Sequence, residues 1–366
     1  MTAVVACNIY ITSASSPVLT RLLSRTQEHC RRLRIQNNTQ QRQQQQCVSR
    51  CNNAVAAIIH ANADIPYDRS SFHLAGRSDC VAEVAIRLIQ TAINEMELES
   101  DISGRTDKSE TRHPFVGLVD HVAIMPLTGK EASTTSTTMH AARVAREIGS
   151  AIVQSSNINI HYYGLACPNQ TPLATVRRKT SFFNSGGASS AGTGNVKVNQ
   201  SHSDCIIGVP VHFVENYNIR LTSNVDFQTA KTLTQALRGR NIATKGMGVS
   251  GVEALTLPYS RDVSLGGKVF EVACNLTDPK AGSVQMIEDQ LETWMQWQKQ
   301  QHLSIKGGEN ERYNRDYFIE KAYRVGTTEK QCLNALNKVD EDHWIQYDRK
   351  VFSKLFTNFC VIDKND

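Results

Sequence analysis

Short apolar runs alternate along this chain with longer stretches in which apolar residues return every third or fourth position. Val4-Val5-Ala6-Cys7-Asn8-Ile9-Tyr10-Ile11 reads as a strand, and Val18, Leu22 and Leu23 then open a helix. Ala54 to His60 predicts a second strand and Ser71 to Leu74 a short third. From Asp79 to Ile93 the residues Val81, Val84, Ala85, Leu88, Ile89 and Ala92 line one helical face. Gly117 leads into an apolar run that ends at Pro126 and reads as a buried strand. Met139 to Ile152 predicts another helix and Ile158 to Tyr163 another strand. Regular alternation of this kind indicates a layered α/β architecture.

Three polar interruptions divide the pattern. Gln36 to Gln46 is a Gln-rich insert read as unstructured, residues 99–112 read as a charged, mobile loop, and Ser185 to Thr193 is almost wholly Gly, Ala and Ser, a flexible linker. Beyond the linker, Cys205 to Val214 and Ile219 to Thr222 read as neighbouring strands joined by Glu215-Asn216-Tyr217-Asn218. Asp226 is placed to cap a helix reaching Arg238. Val249 to Leu257 and Lys268 to Leu276 predict further strands, and Val284 to Trp297 a long helix. The expected organisation is therefore an N-terminal subdomain over 1–184, a linker over 185–193 and a C-terminal subdomain over 194–339. An extension over 340–366 is aromatic, with roughly helical spacing. Two lobes of similar size favour a ligand in the groove between them.

The chain has 366 residues, 40% hydrophobic and 20% charged, and carries a net charge of +5. Nothing approaches the length of a membrane-spanning helix. Seven arginines stand in the first fifty residues against Glu28 alone, but their mixing with Gln reads as a solvated segment rather than a nucleic-acid surface. Ten cysteines form no CxxC pair, and Cys47 and Cys51 lack companions for a zinc site. Reduced thiols and a cytoplasmic location are the simplest expectation, although an acid-poor start rich in Ser, Thr and Arg also suits an organelle signal.

Three clusters are candidates for chemistry. In Arg112-His113-Pro114-Phe115-Val116-Gly117 the proline biases His113 toward extended backbone at the mouth of a core strand, a suitable place for a general base. Downstream, Asp120 and His121 are expected on opposite faces of that strand, which argues against a metal held by His113 and His121. The loop Asp64-Ile65-Pro66-Tyr67-Asp68-Arg69 either orients an imidazole or binds a substrate by paired hydrogen bonds, or is a polar turn with a surface ion pair. Gly194-Asn195-Val196-Lys197-Val198-Asn199-Gln200-Ser201-His202-Ser203 offers backbone amides and a lysine to an anionic or heteroaromatic ligand. Gly246-Met247-Gly248 lacks the third glycine of a dinucleotide fingerprint.

Together these stretches resemble the formiminotransferase domain of formimidoyltransferase-cyclodeaminase, most nearly the stand-alone plant and algal forms. His113-Pro114-x-x-Gly117-x-x-Asp120 is similar to that family's His-Pro-Arg-x-Gly-x-x-Asp, and Asp64-x-x-Tyr67-Asp68-Arg69 to its Asp-x-x-Tyr-Asn-Arg. Tyr162-Tyr163-Gly164 with Arg177-Arg178, Ile206-Ile207-Gly208, Tyr217-Asn218-Ile219 and Glu271 to Leu276 extend the resemblance over about residues 3–339. It implies two similar subdomains, each a mixed sheet with helices on its outer face and a ligand cleft between the sheets. It implies transfer of a formimino or formyl group between glutamate and tetrahydrofolate, with tetrahydrofolate as co-substrate and no metal. His113 falls on the catalytic histidine and Asp64 on an assisting aspartate. Asp68, Arg69, Gly117, Asp120 and the Gly194–Ser203 loop fall on substrate- and folate-binding positions. Folate and N-formiminoglutamate are the implied partners, with a possible homodimer and neither membrane nor nucleic acid. Three departures stand out: Phe115 replaces an arginine, Asp68 replaces an asparagine, and Asn195-Val196 replaces Pro-Ser. The first two are expected to weaken recognition of an anion or to raise the pKa of His113. The alternative is a catalytically weakened folate-binding or interaction protein on the same scaffold.

Overall fold

Val5, Cys7, Ile9 and Ile11 are fully shielded from solvent, while Asn8 and Tyr10 between them face the other way. That alternation makes the first strand the centre of a sheet with one apolar and one polar face. The computed structural model describes residues 3–44, 55–103, 113–128, 135–180, 182–184, 204–259, 269–306 and 314–337. In chain order the elements of the first unit are β1 (Val4–Ile11), α1 (Ser16–Gln44), β2 (Ala56–Asp64), β3 (Arg69–Arg77), α2 (Ser78–Ser103), β4 (Val119–Pro126), α3 (Thr135–Ser155), β5 (Asn159–Gly164), α4 (Leu173–Lys179) and β6 (Asp204–Val209). Its sheet runs β2-β3-β1-β4-β6-β5. The pairs β2/β3, β3/β1 and β1/β4 are antiparallel, and β6 lies parallel to both β4 and β5.

All three long helices of this unit pack on one face. Val18, Leu19, Leu22 and Leu23 of α1, Val81, Val84 and Leu88 of α2, and Val144, Ala145 and Ile148 of α3 join one core with Phe72, Leu74, Val122, Ile124, Cys205 and Ile207. The opposite face is covered in part by a smaller cluster of Val116, Tyr163, Val176, Phe182 and Ile206. The candidate site lies on this second face.

The second unit runs from His212 to Val325. It contains β7 (Glu215–Leu221), α5 (Phe227–Leu237), α6 (Ile242–Lys245), β8 (Val252–Tyr259), β9 (Val269–Leu276), α7 (Val284–Lys306), α8 (Arg315–Phe318) and β10 (Ile319–Val325). Its sheet order is β10-β7-β9-β8, antiparallel throughout. Ile219, Leu221, Val272 and Cys274 pack beneath Leu233 of α5 and Ile287, Leu291 and Trp294 of α7. The chain returns to the first unit at Gly326, where α9 (Glu329–Asn337) packs on β2 and β3.

Several expectations change. The fold is α+β with two sheets, but only the first is mixed; the second is wholly antiparallel. Residues 204–209 do not begin the second unit, nor do they pair with β7. They insert as β6 between β4 and β5, and the compact units divide at Val211 and His212. The Gln-rich stretch is helical through Gln44, because Gln and Arg are good helix formers. Arg77 also donates to Asn37 at 2.9 Å, and Arg34 reaches the Ala56 carbonyl. Residues 99–103 likewise continue α2, whose Glu95 is tied to Arg21 and Arg25 of α1 at 2.6 and 2.9 Å. The linker over 185–193 and the extension over 340–366 lie outside the described residues. No helix among the described residues is long and apolar enough to cross a membrane.

Candidate active site

The β2–β3 hairpin turns through Ile65 to Asp68, closed by the Asp68 amide donating to the Ile65 carbonyl at 3.0 Å. Asp68 takes a left-handed backbone, φ 46°, which Asp and Asn tolerate better than most residues. Its carboxylate accepts the Ala14 amide at 2.8 Å, tying the hairpin tip to the chain leaving β1. Next to this turn Asp64 and Arg69 are the first pair of residues facing one another across the strands. Asp64 is half-buried there.

Arg69 organises what surrounds it. One terminal nitrogen reaches Asp120 at 2.8 Å, and the other approaches His113 Nδ1 at 2.6 Å and the Pro114 carbonyl at 3.4 Å. Its guanidinium lies over the Tyr10 ring, 4.8 Å from the centroid. Asp120 also accepts the Val116 amide at 2.9 Å, which bends the chain after His113 back onto β4. Gly117, in that bend, meets the backbone of β6 so closely that a Cβ would strike the Asp204 carbonyl. Thr12 donates to the Gly117 carbonyl at 2.7 Å. In this structure Gly117 thus sets the path of the chain, and Asp120 sets the position of Arg69.

The expectation that Asp120 and His121 point apart does not hold. Tyr10 pairs with His121 and Ile11 with Val119, so Asp120 is the extra residue of a β-bulge. The bulge brings both side chains to the Tyr10–Arg69 pair. His121 stacks on Tyr10 at 5.6 Å with 11° between the rings, and its Nε2 meets the Tyr163 hydroxyl at 3.1 Å. His73 lies on the same face, between the Ser71 hydroxyl at 3.3 Å and the Thr327 hydroxyl at 3.1 Å.

His113 is walled by two rings nearly perpendicular to its own, Tyr67 at 5.7 Å and Phe182 at 6.2 Å. Its pKa lies well below the ordinary imidazole value, first because burial disfavours the cation and then because Arg69 and Arg177 repel it. The expected rise from Phe115 and Asp68 is therefore reversed. Phe115 is buried, and positive charge arrives instead from Arg69 and Arg177. A guanidinium only donates, so in the 2.6 Å contact with Arg69 the imidazole Nδ1 accepts and the ring proton sits on Nε2. In the other neutral tautomer Nδ1–H donates to the Pro114 carbonyl, also at 2.6 Å, and Nε2 is bare. The two contacts exclude one another, so a group that draws Arg69 away from Nδ1 selects the second tautomer. Burial likewise holds the pKa of His121 and His73 well down, and that of Tyr163 up.

The structure thus brings together His113, Arg69 and Asp120 from the sequence candidates, with Asp64 and Asp68 flanking the same hairpin turn as Arg69. The Gly194–Ser203 loop lies outside the described residues. Sequence reasoning did not select Tyr10, His121, Tyr163, Arg177 or Phe182 as site residues. Of these, His121 is weighed beside Asp120 in the sequence and set aside because the two are expected on opposite faces, while Tyr163 and Arg177 carry a signal as parts of the Tyr-Tyr-Gly and Arg-Arg segments. Among the described residues no group of three or more His, Cys, Asp or Glu is arranged to hold a metal ion.

Residues 33–209 match the family model described as the formiminotransferase domain, N-terminal subdomain. That match takes in every described side chain of the site except Tyr10 and Thr12 around the end of β1 and Thr327 beyond β10. No curated protein matches the chain. Similar solved structures include the periplasmic protease PqqL from Escherichia coli, at 9% identity and a TM-score of 0.19, covering 96% of this chain and 42% of that one. A conserved protein from Enterococcus faecalis V583 gives 10%, 0.18, 95% and 88%, and pitrilysin 11%, 0.19, 96% and 41%. The chain spans less than half the length of the two proteases, and at such TM-scores these likenesses carry no argument.

Proposed function

From the match of residues 33–209 to the formiminotransferase N-terminal subdomain, we propose that this protein moves a formimino or formyl group between glutamate and tetrahydrofolate, with His113 as general base. Family membership over that stretch supplies the coarse assignment, a folate-related one-carbon transferase. The observation that carries the finer one is the setting of His113, an imidazole kept neutral by burial and two guanidiniums, with the Pro114 carbonyl placed to accept a hydrogen bond from Nδ1–H.

In the working tautomer Nδ1–H donates to the Pro114 carbonyl and Nε2 is the base. Tetrahydrofolate supplies the nucleophilic nitrogen. His113 Nε2 takes the proton that this nitrogen sheds as its bond to the one-carbon group forms. It returns the proton to the departing glutamate nitrogen as the old carbon–nitrogen bond breaks. In the resting tautomer Arg69, held by Asp120 and the Tyr10 face, contacts Nδ1 and keeps the imidazole neutral; it gives up that contact when a bound substrate draws it away and Nδ1–H turns to Pro114. Asp64, opposite Arg69 across the strands beside the hairpin turn, is the carboxylate we assign to balance the transient imidazolium. Tyr10, Tyr67, Phe182 and Tyr163 supply flat apolar walls suited to a heteroaromatic ring.

His113→Ala tests this directly. A positioned general base contributes about 10²–10⁴-fold, so turnover of N-formiminoglutamate with tetrahydrofolate is expected to fall by at least roughly 100-fold. Tetrahydrofolate affinity, followed by calorimetry, is expected to stay unchanged. Turnover in the variant within a few-fold of the native rate would remove His113 from this role. The second reading, a folate-binding protein of reduced activity, draws on the resting contact that places the ring proton on Nε2. Tetrahydrofolate binding without turnover in the native protein would establish it.

A further inference from the structure

The short helix α4 ends in Arg177-Arg178-Lys179. Arg178 and Lys179 are exposed, as expected of a basic helix end, but Arg177 turns toward the site. Its guanidinium covers the face of Phe182 at 4.5 Å, and the edge of His113 meets that same ring at 6.2 Å. Arg177 Nε is shut off from solvent and has no hydrogen-bond partner among the described residues. Asp120, the carboxylate that acts most on Arg177, is already joined to Arg69 at 2.8 Å. Phe182 thus links Arg177 to His113, and the Arg177 charge also acts on His121, Tyr10 and Tyr163.

A buried charged donor without an acceptor is costly, and native proteins keep such groups where a ligand completes them. The Nε edge of a guanidinium presents parallel N–H bonds that match the two oxygens of a carboxylate. We propose that Arg177 is the carboxylate-binding residue of this site. It holds one carboxylate of a small dicarboxylic amino-acid substrate against the Phe182 wall and aims that substrate at His113. This inference rests on the transferase reading for the identity of the substrate, but the anion site stands on the geometry alone. The glutamate tail of a folate also carries carboxylates. However, an aromatic spacer separates them from the reacting nitrogen, whereas Arg177 and His113 share one ring wall. A carboxylate only a few bonds from the transferred group fits that spacing.

The test compares glutarate, N-formiminoglutamate and tetrahydrofolate binding by calorimetry in the native protein, Arg177→Gln and Arg177→Lys. A hydrogen bond to a charged group is worth roughly 10- to 150-fold in affinity. Arg177→Gln is expected to weaken glutarate and N-formiminoglutamate by that factor and to raise the KM for N-formiminoglutamate more than it lowers kcat. Arg177→Lys, which keeps the charge but loses the fork, is expected to recover part of the affinity. Tetrahydrofolate affinity should stay within about twofold. Because the unliganded Nε has no described partner, Arg177→Gln is expected to lower Tm by no more than the lost contact with the Phe182 ring accounts for. Native-like glutarate binding in Arg177→Gln, an equal loss of tetrahydrofolate binding, or a larger fall in Tm for both variants would overturn the proposal. So would native protein that binds no dicarboxylate at about 1 mM. Arg177-dependent glutarate binding in a protein that neither binds tetrahydrofolate nor turns over would sink the transferase reading and leave the carboxylate site standing.

Discussion

Replacing Asp120 with Asn removes one charge from the centre of the site and almost nothing else. The Asp120 side chain is 1% exposed and that of Arg69 13%, with 2.8 Å between them. At an effective permittivity near 20, Coulomb attraction across that distance is roughly 6 kcal/mol before desolvation is subtracted. Breaking a buried pair from one side costs about 3–5 kcal/mol, because the surviving charge stays where water cannot reach it. An asparagine oxygen still accepts one hydrogen bond, which offsets about 1 kcal/mol. Its amide group, however, sets a donor against either the Val116 N–H or the Arg69 fork. The expected loss is therefore about 2–4 kcal/mol, read as a lower urea midpoint at unchanged m-value. Arg69→Met removes the stranded charge, so the double variant should recover much of that loss, with a coupling of at least roughly 1–3 kcal/mol. A loss below about 0.5 kcal/mol, with additive single variants, would mean that the pair is hydrated and does not hold the site together.

Stability should fall on acidification. His73, His113 and His121 all have folded-state pKa values below the unfolded one, so the unfolded chain binds more protons once the pH drops beneath about 6.5. Each then contributes a slope of up to about 1.4 kcal/mol per pH unit until its own depressed pKa is reached. Urea midpoints at pH 7.5, 6.5 and 5.5 measure it, and a midpoint that holds steady or rises toward pH 5.5 would contradict the neutral, buried state. In the second unit, Asp226 accepts the Thr229 amide at 2.7 Å as the N-cap of α5. Asp226→Ala should cost about 1 kcal/mol and Asp226→Asn much less; equal losses in the two variants would point to charge rather than capping.

Elements set by local periodicity were legible from the chain alone. β1 and the starts of α1, α2 and α7 follow from spacing, and the α5 cap follows from Asp226. What depends on distant partners was not legible. Residues 204–209 and 215–221 are close in the chain and read as a hairpin, yet β6 finds its partners in β4 and β5, and β7 in β9 and β10. Gln-rich composition suggested an insert, but helix propensity and the Arg77–Asn37 contact prevail at least as far as Gln44. Within the site, His113 and Arg69 were visible as motif residues. The meeting of Asp120 with His121 was not, because a single bulge cancels the two-residue period that sequence reasoning relies on. Arg177 was hidden for a simpler reason, since nothing in the run Arg177-Arg178-Lys179 marks which cation turns inward.

The insertion of β6 between β4 and β5 also fixes an order of events during synthesis. β5 leaves the ribosome some forty residues before β6, yet among the described residues its sheet neighbour is β6 alone. A nascent chain that has not yet delivered residues 204–209 can close β1, β2, β3 and β4 into a sheet, but its β5 edge must wait. Tyr163, on β5, reaches His121 only once that strand is docked. This face of the pocket therefore forms late, after a long-range parallel pairing of the kind that slows folding and leaves an exposed edge in the interval.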